Sequence, residues 1–229
     1  AGVMVTASHN PPRDNGYKVY LGGENLGSQI VTPADAQIAA EIDRVATGSV
    51  ADLPRSTDFT IADDAVVDAY VLATSLVANT SAPRRDLRVV YSAMHGVGWE
   101  VAERVLAAAG ADLRPVSEQQ HPDPEFPTVA FPNPEEPGAM DLTFAHAAGV
   151  GADLAVVNDP DADRLGVAIP TRDGSWRALL GNEIGLLLGW RAAQRLVASG
   201  QTDAVLACSL VSSPALALIA AATGLRHEE

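Results

Sequence analysis

Cysteine and lysine are almost absent from this 229-residue sequence, and basic side chains are few. The one cysteine, Cys208, excludes an internal disulfide framework and suits a reducing cytoplasm. Fifteen basic residues stand against 29 acidic ones, and the resulting net charge of −14 disfavours non-specific nucleic-acid binding. No apolar run reaches the roughly 18 to 20 residues that span a bilayer, and no signal peptide is recognisable. We therefore expect a cytoplasmic protein without nucleic-acid or membrane partners.

Lys18 is the only lysine, whereas the other fourteen basic residues are arginines. A guanidinium group does not lose its proton in proteins, but an ammonium group can. A single lysine in such a sequence therefore indicates a titrating group. An ordinary surface lysine is the alternative, and the count alone does not separate the two.

The first ten residues place a hydroxyl group on a tight turn. Residues 2–5 are mostly apolar and predict a short strand, while Asn10-Pro11-Pro12 predicts a turn because proline lacks an N–H donor and restricts the residue before it. Ser8 therefore follows the end of a strand. Its hydroxyl is either a nucleophile that accepts and returns a phosphoryl group or a turn residue that bonds to its own backbone.

Three aspartates alternate in the segment Asp159-Pro160-Asp161-Ala162-Asp163-Arg164, which we call the acidic loop (residues 159–164). In an extended backbone alternate side chains fall on one side, so the three carboxylates should converge. Converging carboxylates need a cation, and hard oxygen ligands suit Mg²⁺. A solvated acidic turn is the simpler alternative. A calcium loop of the EF-hand type is excluded because Arg164 and Pro170 stand where that loop needs glycine and glutamate.

A phosphatase of the haloacid-dehalogenase type is a closer competitor, because its nucleophilic aspartate also follows a strand, as Asp159 does. Its fifth position is usually threonine or valine, whereas this chain has Asp163. Its lysine also lies downstream of the aspartates, whereas Lys18 lies upstream. These two differences disfavour that phosphatase and leave it open.

The segments Thr6-Ala7-Ser8-His9-Asn10-Pro11, Asn15-Gly16-Tyr17-Lys18 and the acidic loop together resemble the α-D-phosphohexomutases, the phosphoglucomutase and phosphomannomutase family. Members of that family carry Thr-Ala-Ser-His-Asn-Pro around a phosphorylated serine and an Asp-x-Asp-x-Asp-Arg metal loop. The resemblance covers the whole chain in order and is specific at these segments. Pro160 and Ala162 depart from the glycines that many members have between the aspartates.

The resemblance implies an intramolecular phosphotransferase that interconverts hexose 1-phosphate and hexose 6-phosphate through a phosphoserine and a hexose 1,6-bisphosphate intermediate. A Mg²⁺-dependent phosphatase with an aspartate nucleophile and a non-catalytic fragment stay open as alternatives. The preferred sugar and the oligomeric state do not follow from the sequence. The implied site comprises phospho-Ser8, Lys18 as acid/base, Asp159, Asp161, Asp163 and a phosphoserine oxygen around Mg²⁺, and Arg164 as a phosphate clamp.

Three further side chains are candidates for contacts with substrate or phosphate. His9 follows the serine and is grouped with the catalytic residues, although we expect that its ring cannot easily turn onto its neighbour. His95 lies on a glycine-containing loop before a helix, whose N-terminus can meet an anion. Arg13 supplies a third candidate near the serine.

Alternating strand and helix patterns predict an α/β fold of consecutive mixed or parallel-sheet βαβ domains of the phosphohexomutase type. We predict a phosphoserine-loop domain at 1–80, a metal-loop domain at 84–173 and the start of a sugar-binding domain at 174–229, with a linker at 80–85. Residues 117–138 are rich in proline and should lack regular structure. We expect the first and third domains to be incomplete, so this chain alone should be a weak mutase that self-associates.

Overall fold

The computed structural model describes residues 1–77 and 87–229, and the predicted linker at 80–85 falls outside these ranges. Six helices lie within the described residues: α1 Ala34–Ala46, α2 Ala65–Ser75, α3 Trp99–Ala108, α4 Asp141–Val150, α5 Gly181–Ala198 and α6 Ala215–Thr223. Nine strands accompany them: β1 Gly2–Val5, β2 Tyr17–Tyr20, β3 Arg88–Ser92, β4 Asp112–Pro115, β5 Leu154–Asn158, β6 Leu165–Pro170, β7 Trp176–Ala178, β8 Val205–Ala207 and β9 Arg226–Glu228.

The largest sheet of the described residues has the strand order β4-β3-β5-β6-β7. Strand β3 runs parallel to β4 and β5, whereas β6 and β7 are antiparallel additions at one edge. The predicted mixed α/β class is therefore confirmed. The short strand β7 was not predicted, and it carries the sheet to Ala178, beyond residue 173. The predicted domain limits stay predictions.

Strands β3 and β5 are buried on both faces, which explains why they read as continuous apolar runs. Val90 and Val157 face a cluster that includes Met140 and Ala147 of the α4 side. Val89, Tyr91 and Val156 face the other side, where α3 covers them. Each fully buried valine contributes about 1.5 to 3 kcal/mol. The core therefore lies along both faces of these strands, whose carboxyl ends lead into the loops described below.

Two smaller sheets contain the remaining described strands. Strands β1 and β2 form an antiparallel pair, and β8 and β9 form a parallel pair covered by α6. The 117–138 segment contains one 3₁₀ turn, Ser117–Gln119, and otherwise only turns and irregular backbone, as predicted. Among the described helices, none combines the length and apolarity that crossing a membrane requires.

Thr143 supplies a test of the core. Its hydroxyl is fully buried on α4 and makes no hydrogen bond within the two described ranges. An unsatisfied buried polar group costs about 1 to 3 kcal/mol, so Thr143→Val should raise the free energy of unfolding by about 1 kcal/mol. A higher urea midpoint at unchanged slope would show this. The exposed Thr60→Val is the control, and a lower midpoint for Thr143→Val would contradict the assignment.

Candidate functional site

Ser8 lies on a loop, residues 7–15, that the β1–β2 pair holds at its base. Thr6 N–H donates to the carbonyl oxygen of Gly16 at 3.0 Å and closes the loop. A Cβ on Gly16 would lie 2.6 Å from Thr6 O, so only glycine fits there. Ser8 itself has a left-handed backbone with φ 54°, which its N–H stabilises by donating to Thr6 Oγ1 at 2.9 Å. The hydroxyl is thus presented at a fixed position beyond the strand ends.

The acidic loop is a turn rather than an extended segment. Ala162 N–H donates to Asp159 O at 2.9 Å, and Ala162 has φ 60°. The carboxylate oxygens of Asp159, Asp161 and Asp163 still converge, because one from each residue lies within 4.8 Å of the others. Convergence was expected from alternation in an extended backbone, and that reason was wrong. The turn brings the carboxylates together.

The serine and the acidic loop meet although they are 151 residues apart in the chain. Ser8 Oγ lies 2.9 Å from Asp159 Oδ2 and 3.1 Å from Asp161 Oδ1. Thr6 Oγ1 donates to the second oxygen of Asp161 at 3.2 Å. Since the Ser8 hydroxyl has one proton, it donates to one of the two carboxylates at a time. The geometry places a potential nucleophile against two buried carboxylates.

Lys18 joins the same cluster from β2. Its ammonium nitrogen lies 2.7 Å from Asp161 Oδ2 and 2.6 Å from Asp163 Oδ2. Hydrogen bonds that Lys18 donates to Asp161 and Asp163 raise its pKa above the usual value despite partial burial. Lys18 is therefore an ammonium ion at neutral pH as it is held here. In that form it can donate a proton but accepts none.

The pKa values of the two buried carboxyl groups, Asp159 and Asp161, are shifted in opposite directions. Burial raises the pKa of Asp159, and hydrogen bonds from the Arg164 N–H and Ser8 do not offset it. Burial also opposes ionisation of Asp161, but hydrogen bonds from Lys18 and Ser8 outweigh it and hold the pKa of that carboxyl below its usual range. Neighbouring acids with such divergent pKa values are typical of functional sites.

His9 reaches the serine, so the expectation that its ring cannot turn onto its neighbour was wrong. Its Nδ1 lies 2.9 Å from Ser8 Oγ and 3.4 Å from Asp159 Oδ2. The left-handed backbone of Ser8 breaks the alternation that would otherwise send successive side chains to opposite sides. The ring edge packs against Phe131 with centroids 5.5 Å apart, which fixes its orientation.

The other three predicted side chains are not bonded to this cluster. Arg13 and Arg164 are exposed, and neither guanidinium forms an ion pair within the described residues. Arg164 contributes its backbone N–H, which donates to Asp159 Oδ1 at 3.0 Å. His95 is buried, with Nε2 2.7 Å from Thr128 Oγ1. Their proposed contacts with phosphate or substrate stay predictions.

Sequence reasoning missed residues that support the site. Asn158 accepts a hydrogen bond from the Tyr91 hydroxyl at 2.9 Å and donates to Arg164 O at 2.6 Å, which holds both ends of the acidic loop. Thr6 is a second such residue. The available signal was its position two residues after Met4, which pairs with Lys18 across the sheet, because alternate residues of a strand lie on the same face. Asn158 offered none, because its partners are distant in sequence.

The oxygen ligands fit a small divalent cation. An octahedral Mg²⁺ site with bonds of about 2.0 to 2.1 Å has neighbouring ligand oxygens about 2.9 Å apart. Ser8 Oγ and Asp159 Oδ2 have that separation. Asp159, Asp161, Asp163 and an oxygen at the Ser8 position would hold such an ion, since each aspartate offers one carboxylate oxygen to the group.

His95 makes stability depend on pH. Burial lowers its pKa below the usual value of about 6.5, against the field of Asp123. The unfolded chain therefore binds this proton at a higher pH than the folded chain, and acidification below about 6.5 favours unfolding. The free energy of unfolding should fall less steeply between pH 7 and 5 in His95→Gln than in the wild type. Exposed His121→Gln is the control, and equal pH profiles for all three proteins would contradict this assignment.

Comparison with known proteins gives the site a context. Residues 1–48 match the family described as phosphoglucomutase/phosphomannomutase, alpha/beta/alpha domain I, and residues 68–174 match its domain II. The chain is 54% identical over 230 residues to the probable phosphomannomutase of Haemophilus influenzae, which covers 100% of this chain and 46% of that protein. It is 38% identical over 248 residues to the phosphopentomutase of Mus musculus, covering 100% and 39% respectively.

A solved structure shares the fold. The phosphoglucomutase/phosphomannomutase family protein of Burkholderia thailandensis superposes with a TM-score of 0.72 at 25% identity, over 98% of this chain and 43% of that one. The chain thus spans less than half the length of the relatives named here.

Proposed function

Since the chain belongs to the phosphoglucomutase/phosphomannomutase family, we propose that it forms the phosphoserine and metal-binding half of a phosphomutase that interconverts hexose 1-phosphate and hexose 6-phosphate. The observation that carries this proposal is the contact of Ser8 Oγ with Asp159 and Asp161 at 2.9 and 3.1 Å. A hydroxyl so placed is a phosphoryl acceptor whose transferred group would lie among metal-binding oxygens.

The proposed half-reaction runs between a hexose 1,6-bisphosphate and the serine. Ser8 Oγ forms the new P–O bond as the bond from phosphorus to the sugar oxygen breaks. The Lys18 ammonium protonates the departing sugar oxygen and regains a proton from the Ser8 hydroxyl, so the net proton moves from serine to sugar. In the reverse step the bond from phosphorus to Ser8 Oγ breaks as the free hydroxyl of a hexose monophosphate takes the phosphoryl group and gives up its proton, which regenerates the bisphosphate and the serine hydroxyl. The cluster holds Lys18 as an ammonium ion, so the proton that this step transfers is present before the reaction begins.

Mg²⁺ bound by Asp159, Asp161 and Asp163 would supply charge neutralisation at the transferring phosphoryl group. The protein contributes the positions of these ligands. Asp159 and Asp161 are buried, and the backbone N–H of Arg164 fixes Asp159, so little reorganisation is needed. The Arg164 guanidinium, exposed beside the loop, is available to bind a phosphate of the substrate.

The sugar is the less constrained part of the proposal. Of the two relatives named above, the one with 54% identity is described as a probable phosphomannomutase and the one with 38% identity as a phosphopentomutase. We therefore propose a hexose phosphate first and a pentose phosphate second. Parallel assays of phosphoryl transfer from a hexose bisphosphate and from a pentose bisphosphate would show which sugar is preferred.

Product analysis tests the function. The chain is incubated with glucose 1,6-bisphosphate and Mg²⁺, and glucose monophosphate, inorganic phosphate and protein-bound phosphate are measured. A mutase half-reaction gives glucose monophosphate and protein-bound phosphate in equal amounts. Continuing release of inorganic phosphate would instead identify the phosphatase that uses Asp159. No product would identify a non-catalytic chain.

Asp161→Asn separates a metal ligand from a structural carboxylate. Removal of one charged ligand should weaken Mn²⁺ or Mg²⁺ binding by about ten-fold or more, while the melting temperature stays near that of the wild type. Exposed Asp43→Asn on α1 is the control and should bind metal normally. A collapsed melting temperature for Asp161→Asn would show that the acidic loop is structural.

A further inference from the structure

A second loop lies directly against the acidic loop. We call it the supporting loop, residues 93–98. The N–H of Val97 donates to Pro160 O at 2.9 Å. A Cβ on buried Gly96 would lie 2.2 Å from both the Cα and the carbonyl oxygen of Pro160. A Cβ on Gly98 would lie 3.3 Å from the Ala162 side chain and 2.6 Å from the Tyr91 hydroxyl. The two loops are therefore in contact with no room for a side chain.

This contact falls on the residues that separate the aspartates. Pro160 lies between Asp159 and Asp161, and its position sets the spacing of the two carboxylates that meet Ser8. Any shift of Pro160 away from Gly96 would move those carboxylates relative to each other. A small cation with strict octahedral geometry tolerates changes in the spacing of its ligands poorly.

The supporting loop has a strained backbone, which hydrogen bonds must hold in place. Met94 and His95 are successive non-glycine residues with φ 47° and 61°, a left-handed backbone that is unfavourable for residues with a Cβ. Hydrogen bonds from their backbone N–H groups hold them in place: Met94 N–H donates to the side-chain oxygen Ser92 Oγ at 3.0 Å, and His95 N–H donates to Gln119 O at 3.1 Å. The carbonyl of His95 accepts from Asp123 N–H at 2.9 Å.

Side chains extend this support to the proline-rich segment. Ser92 donates to Gln119 Oε1 at 2.7 Å, and Gln119 Nε2 donates to Thr128 Oγ1 at 2.9 Å. Thr128 Oγ1 in turn lies 2.7 Å from His95 Nε2. Ser92, Gln119 and His95 are buried, so loss of one bond would leave a buried polar group unpaired. Thr128 is the exposed member of this network, and its hydroxyl links Gln119 to His95.

We infer that Gly96 is a positioning residue for the metal ligands, and that Thr128 keeps it there through Gln119 and His95. This inference rests on the proposed metal-binding role of the acidic loop. Gly96 touches neither the cation nor the substrate. It acts through Pro160, and the proline-rich segment that looked structureless in the sequence has a role in holding it.

Gly96→Ala tests the direct step, with Mn²⁺ as the probe because its bound and free forms differ in electron paramagnetic resonance. The added Cβ should displace Pro160 and weaken Mn²⁺ binding by about ten-fold or more, as is typical when a residue behind metal ligands is changed. Gly149→Ala is the matched control, because nothing lies within 4 Å of a Cβ at that position on α4. A folded Gly96→Ala that binds Mn²⁺ like the wild type overturns the inference.

A second pair of variants decides the matter if Gly96→Ala does not fold. Thr128→Val removes the linking hydroxyl at an exposed position, whereas Thr128→Ser retains it. We expect about three-fold weaker Mn²⁺ binding by the valine variant and normal binding by the serine variant. Equal binding by both overturns the inference. Failure of Asp161→Asn to reduce Mn²⁺ binding would instead contradict the proposed metal site itself, and the inference with it.

Discussion

Ser8→Ala is expected to abolish phosphoryl transfer from glucose 1,6-bisphosphate to the chain. The hydroxyl that contacts Asp159 and Asp161 would be missing, and no neighbouring group replaces it. Thr6 is the nearest alternative hydroxyl in the cluster, but it accepts the Ser8 N–H and donates to Asp161. Protein-bound phosphate measured by intact-protein mass spectrometry should fall from one group per chain to none.

The control for this prediction is Ser28→Ala. Ser28 lies in the same part of the chain, but its exposed hydroxyl donates to Asn25 O and forms no hydrogen bond with the aspartates of the described acidic loop. The Ser28→Ala variant should be phosphorylated at Ser8 like the wild type. Phosphate retained in Ser8→Ala would refute the role of Ser8.

Lys18→Arg should slow the same transfer by a factor of roughly 10² to 10⁴, the range for losing a positioned proton donor. An arginine preserves the charge and can pair with Asp161 and Asp163, so metal binding and folding should change little. Its guanidinium does not release a proton at neutral pH, and the departing sugar oxygen would lose its donor. Single-turnover kinetics with saturating bisphosphate measures the step directly.

Arg44→Lys is the matched control, because it makes the reverse exchange in a surface ion pair with Glu41. Exposed pairs of this kind contribute little, so both stability and transfer should be unchanged. A Lys18→Arg variant that reacts within a few-fold of the wild type would show that Lys18 serves only as a charge.

Sequence reasoning was accurate where the residue pattern itself carries the structure. The apolar runs at 87–91 and 154–157 coincide with β3 and β5, since strands buried on both faces leave a continuous apolar signature. The convergence of the three aspartates was also expected, but for an extended backbone, whereas the structure achieves it with a turn at Ala162. The alternation pattern is compatible with both backbones.

Long-range contacts were beyond reach. Nothing local in the sequence shows that Gly96 lies against Pro160, because the reason for the glycine is a backbone 64 residues away. The contact of His9 with Ser8 was excluded wrongly for a related reason. The left-handed φ of Ser8 is imposed by the loop closure at Thr6 and Gly16, and neighbour-to-neighbour rules assume the common extended backbone.

The central claim is that Ser8 accepts a phosphoryl group with the help of a cation held by the acidic loop. Tryptic peptide 1–13, isolated after incubation of the wild-type chain with glucose 1,6-bisphosphate, tests it most directly by mass spectrometry with Mg²⁺ and with a chelator. The account predicts phosphate on Ser8 in Mg²⁺ and none in the chelator. Equal phosphorylation of the peptide in both conditions, or a peptide that stays unphosphorylated in Mg²⁺, would contradict it.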